Sequence, residues 1–322
     1  MKLIRSVHQV AAALACVGLM SSAAVQAQSV SVSSIVEHPA LDAIKDGVHK
    51  ALTDAGYNEA SGFKWQFQTA QGNPAIAAQI ARKFVGDKAD VIVAISTPSA
   101  QAVVSATKTI PVVYSAVTDP VVAHLVPSMA ASGTNVTGVS DALALEAQVD
   151  LIKKVVPDAK RVGMVYNPGE ANSAVVVKEM KELLPKHGMT LVEATAPRTV
   201  DVGAAARSLV GKVDVIYTNT DNNVVSAYES LVKVGNDAKV PLIASDTDSV
   251  ARGAIAALGV NYYNLGLQTG QQVIRILKGE KPGDMASETS SNLELYVNPG
   301  AAKRQGVSLN EDFVKSATKI VE

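Results

Sequence analysis

The stretch KADVIVAISTPS, residues 88–99, decides how this chain is organised, because it joins an apolar strand to a helix start within three residues. The run at 91–95 lacks a polar face, which is typical of a parallel strand covered on both sides. A related stretch, KVDVIYTNTDN, follows at residues 212–222. Each copy leads through a helical segment into a second apolar run, IPVVYSAVTD at 110–119 and VPLIASDTD at 240–248. The repeat predicts two similar α/β units.

Strands and amphipathic helices alternate outward from both copies, as in parallel sheets covered by helices. The predicted fold class is therefore α/β, with two similar doubly wound parallel-sheet lobes joined by a multi-strand hinge. Strands are predicted at residues 30–36, 64–69, 91–95, 112–115, 161–166, 190–194, 213–218, 242–245, 255–258 and 293–297, and helices at 41–55, 75–85, 173–186, 266–277 and 312–321. A hinge between two such lobes predicts a ligand cleft, because open parallel sheets bind ligands beyond the carboxyl ends of their strands.

The polar segment GTNVTG, residues 133–138, marks the predicted crossing between the lobes. Lobe one is predicted to comprise residues 28–140 and about 253–285, and lobe two residues 141–252 and about 286–322. Several crossings of this kind make a hinge rather than a loose tether.

Residues 1–27 are predicted to be a secretory signal peptide. Lys2 and Arg5 precede an apolar core of about 11 residues, which is too short to span a membrane, and small residues lead to a cut after Ala27. The predicted location is periplasmic, and the alternative is a lipid anchor at Cys16.

Composition excludes several classes of function. Cys16 is the only cysteine, so the mature chain offers no disulfide and no thiolate. A formal net charge of −1 and 4% aromatic residues give no basic or stacking face for nucleic acid. We expect no cofactor and no metal, since the chain has no dinucleotide or Walker loop and no histidine pair at metal-binding spacing. The expected partner is a small molecule, bound by a monomer.

Polar residues follow the predicted strands in both lobes, where loops lead into helices. The candidate ligand contacts are Glu37, Thr97, Ser99, Ala100 and Asp119 in lobe one, and Asn172, Ser173, Asp221, Asn222 and Asp246 in lobe two. Thr97 fits a helix cap with Pro98 at the first helical position, so the N–H groups of Ser99 and Ala100 point outward toward an anion. The alternative is that Thr97 only caps its own helix.

Carboxylates stand opposite these donors, and no Lys or Arg falls in the same loops apart from Arg252 just beyond the last one. Converging carboxylates repel one another unless a cation lies between them. Donors for an anion together with carboxylates for an ammonium describe an α-amino acid or a similar zwitterion. Strand-end aspartates also serve as helix caps, which is the competing interpretation, and Tyr262 is interpreted as a packing residue.

In the resulting assignment, Thr97, Ser99 and the Ala100 N–H receive the ligand carboxylate, with Asn172 and Ser173 contributing from the facing lobe. Asp221 and Asp246 hold the ammonium. Glu37 and Asp119 shape the pocket.

Ser99 is a poor candidate for a nucleophile, because no Gly-x-Ser-x-Gly elbow occurs and no Ser-x-x-Lys surrounds it. We therefore predict a binding protein and not an enzyme. Two alternatives remain open, a ligand-sensing periplasmic domain for a receptor and a secreted α/β hydrolase.

Eight segments together resemble one family, the ABC-transporter substrate-binding proteins that include the tryptophan- and phenylalanine-binding lipoproteins. They are IVEHPALD (35–42), TAQG (69–72), AISTPSAQ (94–101), VTDP (117–120), NVTGVSD (135–141), YNPGEANS (166–173), TDN (220–222) and GVNYY (259–263). The resemblance implies a type I periplasmic-binding fold, closure of two lobes on an amino acid, and delivery to an ABC permease in the inner membrane. It also implies ligand contacts in the loops that hold the candidate residues named above.

Overall fold

The computed structural model describes residues 28–290 and 292–322. The predicted signal peptide and the alternative anchor at Cys16 lie outside the described residues. Within the described ranges, no helix has both the length and the apolar character needed to cross a membrane.

The strands follow the repeat in the sequence. In the first repeat they are β1 (Ser29–Ser34), β2 (Lys64–Thr69), β3 (Val91–Ile95), β4 (Val112–Ser115) and β5 (Val136–Ser140). In the second they are β6 (Arg161–Tyr166), β7 (Thr190–Thr195), β8 (Val215–Thr218), β9 (Leu242–Ala244) and β10 (Ala256–Val260), and the tail adds β11 (Glu288–Thr289), β12 (Leu293–Val297) and β13 (Lys319–Ile320).

Helices connect successive strands and cover both sheets. They are α1 (Pro39–Asp54), α2 (Pro74–Gly86), α3 (Thr97–Ala106), α4 (Leu145–Val155), α5 (Ala171–Leu183), α6 (Val202–Leu209), α7 (Asn222–Ser226), α8 (Tyr228–Ala238), α9 (Asp248–Arg252), α10 (Tyr262–Leu277), α11 (Pro299–Arg304) and α12 (Glu311–Lys315).

The two sheets repeat the same strand order. Sheet one runs β11-β5-β4-β3-β1-β2 and sheet two runs β13-β12-β10-β9-β8-β6-β7, so each contains a 2-1-3-4-5 arrangement of parallel strands. Only β12 is antiparallel to its neighbour β10 among the described pairings. This topology confirms the predicted fold class of two similar doubly wound lobes, and the order reverses between β1 and β3 and between β6 and β8.

The second segment of lobe one starts later than the predicted residue 253, because β10 belongs to sheet two. Residues 136–138, predicted as part of the crossing between the lobes, belong to β5 of sheet one, whose residues are all buried. β10 pairs with β9 and β12 in sheet two, and β11 pairs with β5 in sheet one. Lobe one thus comprises residues 28–140 with 262–289, and lobe two 141–260 with 293–322. The chain crosses between the lobes after β5, after β10 and between β11 and β12.

The predicted final helix, residues 312–321, was wrong beyond its first turn. The helix ends at Lys315, where the Ser316 hydroxyl donates to the Phe313 carbonyl oxygen at 2.7 Å. Thr318 then bonds to β12 through its backbone N–H, which donates to the Leu295 carbonyl oxygen at 2.7 Å. The chain therefore leaves the helix to add the edge strand β13 to sheet two.

Two helices of lobe one begin at the cleft and pack closely against each other. α1 starts just after His38 and α10 starts at Tyr262, and both residues lie at the carboxyl edge of the sheets. Gly266 of α10 faces the carbonyl group of Ile44 so closely that a Cβ atom there would collide with it. This backbone approach fixes the position of both helix starts.

Candidate functional site

The carboxyl ends of the two sheets face each other across the cleft. The Thr118 hydroxyl, which follows β4 in lobe one, lies 3.4 Å from the Thr220 hydroxyl, which follows β8 in lobe two. Loops that follow the carboxyl ends of the strands of both sheets meet here, which is the expected position of a ligand in doubly wound sheets.

A cavity of about 350 Å³ lies between the lobes, and we call it the polar cavity. Both lobes contribute polar side chains to it, and no Lys or Arg is among its lining residues. It is lined by His38, Ala40, Leu41, Ser96, Thr97, Ala116, Thr118, Asp141, Asn172, Thr220, Asn222, Val225, Asp246 and Tyr262.

The start of α3 forms one wall of the polar cavity. Ser96 is the N-cap, with φ 75° and ψ 158°, a conformation that costs non-glycine residues on the order of 1–3 kcal/mol. The helix begins at Thr97, which therefore is not the cap as predicted. Within the described chain, the hydroxyls of Ser96, Thr97 and Ser99 are buried without a hydrogen-bond partner. Such orphaned groups at a helix start suit an anionic ligand group.

Ala100 does not present a free donor, contrary to the prediction. Its N–H donates to the Ser96 carbonyl oxygen at 3.0 Å, because the helix starts one residue earlier than expected. The outward-facing N–H groups of the first turn are those of Thr97 and Ser99, since Pro98 has none.

A loop of lobe two fixes two asparagine side chains at the opposite wall. The Asn172 side-chain amide group donates to the Glu170 carboxylate at 3.1 Å and to the Thr220 carbonyl oxygen at 3.0 Å. The Asn222 side-chain amide group donates to the same Glu170 oxygen at 2.5 Å. The amide oxygen of Asn172 is left buried without a donor among the described residues. Asn172 thus offers an acceptor to the cavity, whereas the sequence assignment had it receive a carboxylate.

Glu170 orients these amides from a buried position. Burial, reinforced by the neighbouring Asp221 carboxylate, raises the pKa of Glu170 to about 7. The N–H of Asn222 also donates to Glu170, at 3.2 Å. Glu170 therefore acts as a positioning residue behind the cavity wall.

Asp221 and Ser173 were predicted to touch the ligand, but neither lines the polar cavity. The Asp221 carboxylate accepts hydrogen bonds from the Asn167 N–H and the Ser173 hydroxyl, both at 2.6 Å, and from the Val224 N–H at 3.0 Å. Both side chains are fully buried. Asp221 instead ties the starts of α5 and α7 together within lobe two.

Two carboxylates do line the polar cavity, Asp246 as predicted and Asp141 in addition. Asp141 accepts hydrogen bonds from the Tyr262 hydroxyl at 3.0 Å and the Thr118 hydroxyl at 3.2 Å. Asp246 accepts from the N–H and the hydroxyl of Ser249 at 2.8 and 2.7 Å. Burial raises the pKa of both carboxyl groups. Two buried acids on one cavity without a basic residue suit a cationic ligand group, which would restore the ionised form.

The loop after β1 presents His38 and not Glu37. Glu37 is exposed and does not line the polar cavity, whereas His38 lines it and is buried, with no partner for its Nδ1 atom among the described residues. Burial, together with the charge of Arg252, lowers the pKa of His38 to about 3. The imidazole is neutral at physiological pH.

A second cavity, of about 550 Å³, adjoins the first, and we call it the apolar cavity. Its apolar walls come from residues 142–145, which lead into α4, and from α5, and the loops after β4, β8 and β9 complete it. It is lined by Thr118, Asp119, Asp141, Ala142, Leu143, Leu145, Val175, Val176, Glu179, Tyr217, Asn219, Thr220 and Ser245. Thr118, Asp141 and Thr220 line both cavities and mark the junction between them.

Asp119 lies at the edge of the apolar cavity. Its carboxylate accepts hydrogen bonds from the backbone N–H groups of Val121 and Val122, both at 2.9 Å. Asp119 thereby holds the turn after β4, which shapes this end of the cleft.

The structure thus brings four predicted contacts to the polar cavity, Thr97, Asn172, Asn222 and Asp246, with Ser99 buried at the start of the adjoining helix. The sequence interpretation missed Ser96, Asp141 and Tyr262. Asp141 directly follows β5, so identifying that strand would have placed it at the carboxyl edge. In the described part of the chain, no group of three or more His, Cys, Asp or Glu residues could hold a metal ion.

Residues 29–321 match the family model described as ABC transporter substrate binding protein. A tyrosine-binding protein of Clostridioides difficile strain R20291 is 42% identical over 289 residues, which cover 89% of this chain and 84% of the relative.

Two solved structures superpose on this chain to different extents. An ABC domain from Streptococcus pneumoniae in complex with L-Trp is 32% identical and superposes with a TM-score of 0.88, covering 92% of this chain and 100% of that one. A ligand-free, open substrate-binding protein from Clostridium difficile is 39% identical but has a TM-score of only 0.69, covering 92% and 99%. The whole chain therefore superposes more closely on the L-Trp complex than on the ligand-free, open protein.

Proposed function

Because the chain belongs to the family of ABC transporter substrate-binding proteins, we propose that it captures an aromatic amino acid between its lobes. Membership in this family confirms the prediction of a binding protein rather than an enzyme. The relatives that bind tyrosine and L-Trp support an aromatic ligand for this chain.

One observation carries the proposal, namely that a polar and an apolar cavity share a junction at Thr118, Asp141 and Thr220. The α-carbon of an amino acid bears an ammonium, a carboxylate and a side chain. Placed at the junction, it sends its charged groups into the polar cavity and its side chain between α4 and α5. The apolar cavity offers that side chain apolar walls at Leu143, Leu145 and Val176, as binding sites for aromatic groups do.

The charged groups of the ligand have distinct partners in the polar cavity. The carboxylate lies at the start of α3, against the N–H groups of Thr97 and Ser99 and the Ser96 hydroxyl, where the helix dipole favours negative charge. The ammonium lies between Asp141 and Asp246, and the amide oxygen of Asn172 accepts a further hydrogen bond from it.

Binding proceeds by lobe closure. A ligand that touches α3 of lobe one and Asn172 of lobe two gains contacts only when the lobes meet, so it stabilises the closed state by its differential affinity. In the closed arrangement the buried hydroxyls of Ser96 and Thr97 obtain from the ligand the hydrogen bonds that residues 28–290 and 292–322 do not supply.

The family and the predicted leader support a biological setting for the protein. We place the mature protein in the periplasm after removal of residues 1–27, and we propose that its closed form delivers the ligand to the permease of an ABC importer. The closed form differs from the open form in the relative position of both lobes, which gives the permease a surface that reports occupancy.

A thermal-shift screen of the purified protein tests the proposed ligand class. Aromatic L-amino acids, aliphatic L-amino acids and sugars are compared at equal concentration. An aromatic amino acid at 100 times its Kd should stabilise the protein by about 2.7 kcal/mol. Two compounds serve as matched controls: tryptamine, which lacks the carboxylate, and indole-3-propionate, which lacks the ammonium. Both should produce much smaller shifts. Stabilisation by sugars without any shift from amino acids would refute the proposal.

A further inference from the structure

Two buried polar side chains lie on the floor of the apolar cavity. Asn219 directly follows β8 and Ser245 directly follows β9, and the strand register pairs Thr218 with Ala244, so the two residues are neighbours. The Ser245 N–H donates to the Thr218 carbonyl oxygen at 2.9 Å, which holds the strand ends together. Each residue is only 2% exposed.

Neither side chain has a hydrogen-bond partner among the described residues. Both the oxygen and the nitrogen of the Asn219 carboxamide are unpaired, and so is the Ser245 hydroxyl. A buried polar group without a partner costs about 1–3 kcal/mol, and such a group on the wall of a cavity can regain the missing bond from a ligand. The floor therefore points to a ligand group that forms hydrogen bonds.

The other polar residues of this cavity have different positions or partners. Thr118, Asp141 and Thr220 lie at the junction with the polar cavity, and Asp119 is bonded to backbone N–H groups. Glu179 is exposed. Tyr217 also lines this cavity and is buried, with its hydroxyl beside Ser245. The remaining lining residues, including Leu143 and Val176, are apolar. The side chain of a bound amino acid thus meets apolar walls together with a polar floor at Asn219 and Ser245.

We infer that Asn219 and Ser245 select ligands whose aromatic ring carries a hydrogen-bonding group, and this inference rests on the proposed function. A carboxamide and a hydroxyl each donate and accept, which matches the phenol of tyrosine best. The indole N–H of tryptophan pairs with the Asn219 oxygen alone. The ring of phenylalanine leaves the whole floor unpaired, so it is rejected.

Isothermal titration of L-tyrosine, L-tryptophan and L-phenylalanine into the wild type, Asn219→Leu and Ser245→Ala tests this inference. Leucine preserves the shape of asparagine but forms no hydrogen bond. The wild type should bind tyrosine at least about tenfold more tightly than phenylalanine. Asn219→Leu should reduce that ratio to about threefold or less, mainly by weakening tyrosine binding. Ser245→Ala should reduce it in the same direction.

Ser33→Ala is the matched control, since Ser33 is also a buried serine with an unpartnered hydroxyl but lines neither cavity. It should leave the ratio unchanged. A wild type that binds phenylalanine as tightly as tyrosine and tryptophan, or an Asn219→Leu variant that keeps the wild-type ratio, would overturn the selectivity while leaving the proposed function intact. A wild type that binds none of the three amino acids would overturn both.

Discussion

Asp141→Asn should weaken binding of the aromatic ligand by about 30- to 4,000-fold, because removing one member of a buried charge pair costs about 2–5 kcal/mol. Asp141 lies at the junction of the two cavities, where the α-carbon and its ammonium are placed. Asparagine keeps the size of the side chain and one acceptor oxygen for Tyr262 or Thr118. The loss should therefore come from the missing charge, and titration calorimetry measures it.

Asp248→Asn is the control for Asp141→Asn. Asp248 is also a partly buried carboxyl group, and burial together with Asp246 raises its pKa to about 6, but it lines neither cavity. The Asp248→Asn variant should bind the aromatic ligand within about twofold of the wild-type affinity, because substitutions away from the ligand contacts are worth about 0.5 kcal/mol or less. If the folded Asp141→Asn variant bound the ligand as tightly as the wild type, Asp141 would not be a ligand contact.

Asp221→Ala should destabilise the folded protein by about 3 to 5 kcal/mol, since it leaves three buried hydrogen-bond donors without an acceptor. The carboxylate accepts from the Asn167 N–H, the Ser173 hydroxyl and the Val224 N–H. Losing it frees the starts of α5 and α7 from each other. Urea denaturation without ligand should show the effect as a lower midpoint.

Asn73→Ala tests whether the loss of any helix cap has the same effect. Asn73 caps α2 through a hydrogen bond from the Ala75 N–H, but it is exposed, so water replaces the bond. Its cost should be about 1 kcal/mol. If Asp221→Ala kept full stability and lost only ligand binding, the direct ligand role predicted from the sequence would be correct and the structural role wrong.

The fold was largely predictable because its signal is periodic and repeated. Apolar strands such as 91–95 and 161–166 carry no polar face, and three strand ranges besides these two were predicted with the bounds found in the structure. The fifth strands were harder, because β5 reads VTGVS and contains threonine, glycine and serine. Local composition favours a loop there, and only pairing with β4 and β11 makes it a strand.

The candidate site was predictable in its location but less so in its contacts. Thr97, Asp246 and Asp221 all follow strands. Thr97 and Asp246 line the polar cavity, but Asp221 does not. An aspartate at a strand end either caps a helix or faces a ligand, and tertiary hydrogen bonds decide between the two. A one-residue shift in the start of α3 likewise changed which N–H groups are free. The floor formed by Asn219 and Ser245 depends on strand register, which no local pattern gives.

The crystal structure of the protein with bound L-tyrosine tests the central claim most directly. The ammonium should lie about 3 Å from the Asp141 carboxylate, and the ligand carboxylate should lie at the start of α3 beside Thr97. The ring should pack between Leu143 and Val176. A tyrosine bound with its ring in the polar cavity, or outside the cleft altogether, would contradict the assignment of the two cavities.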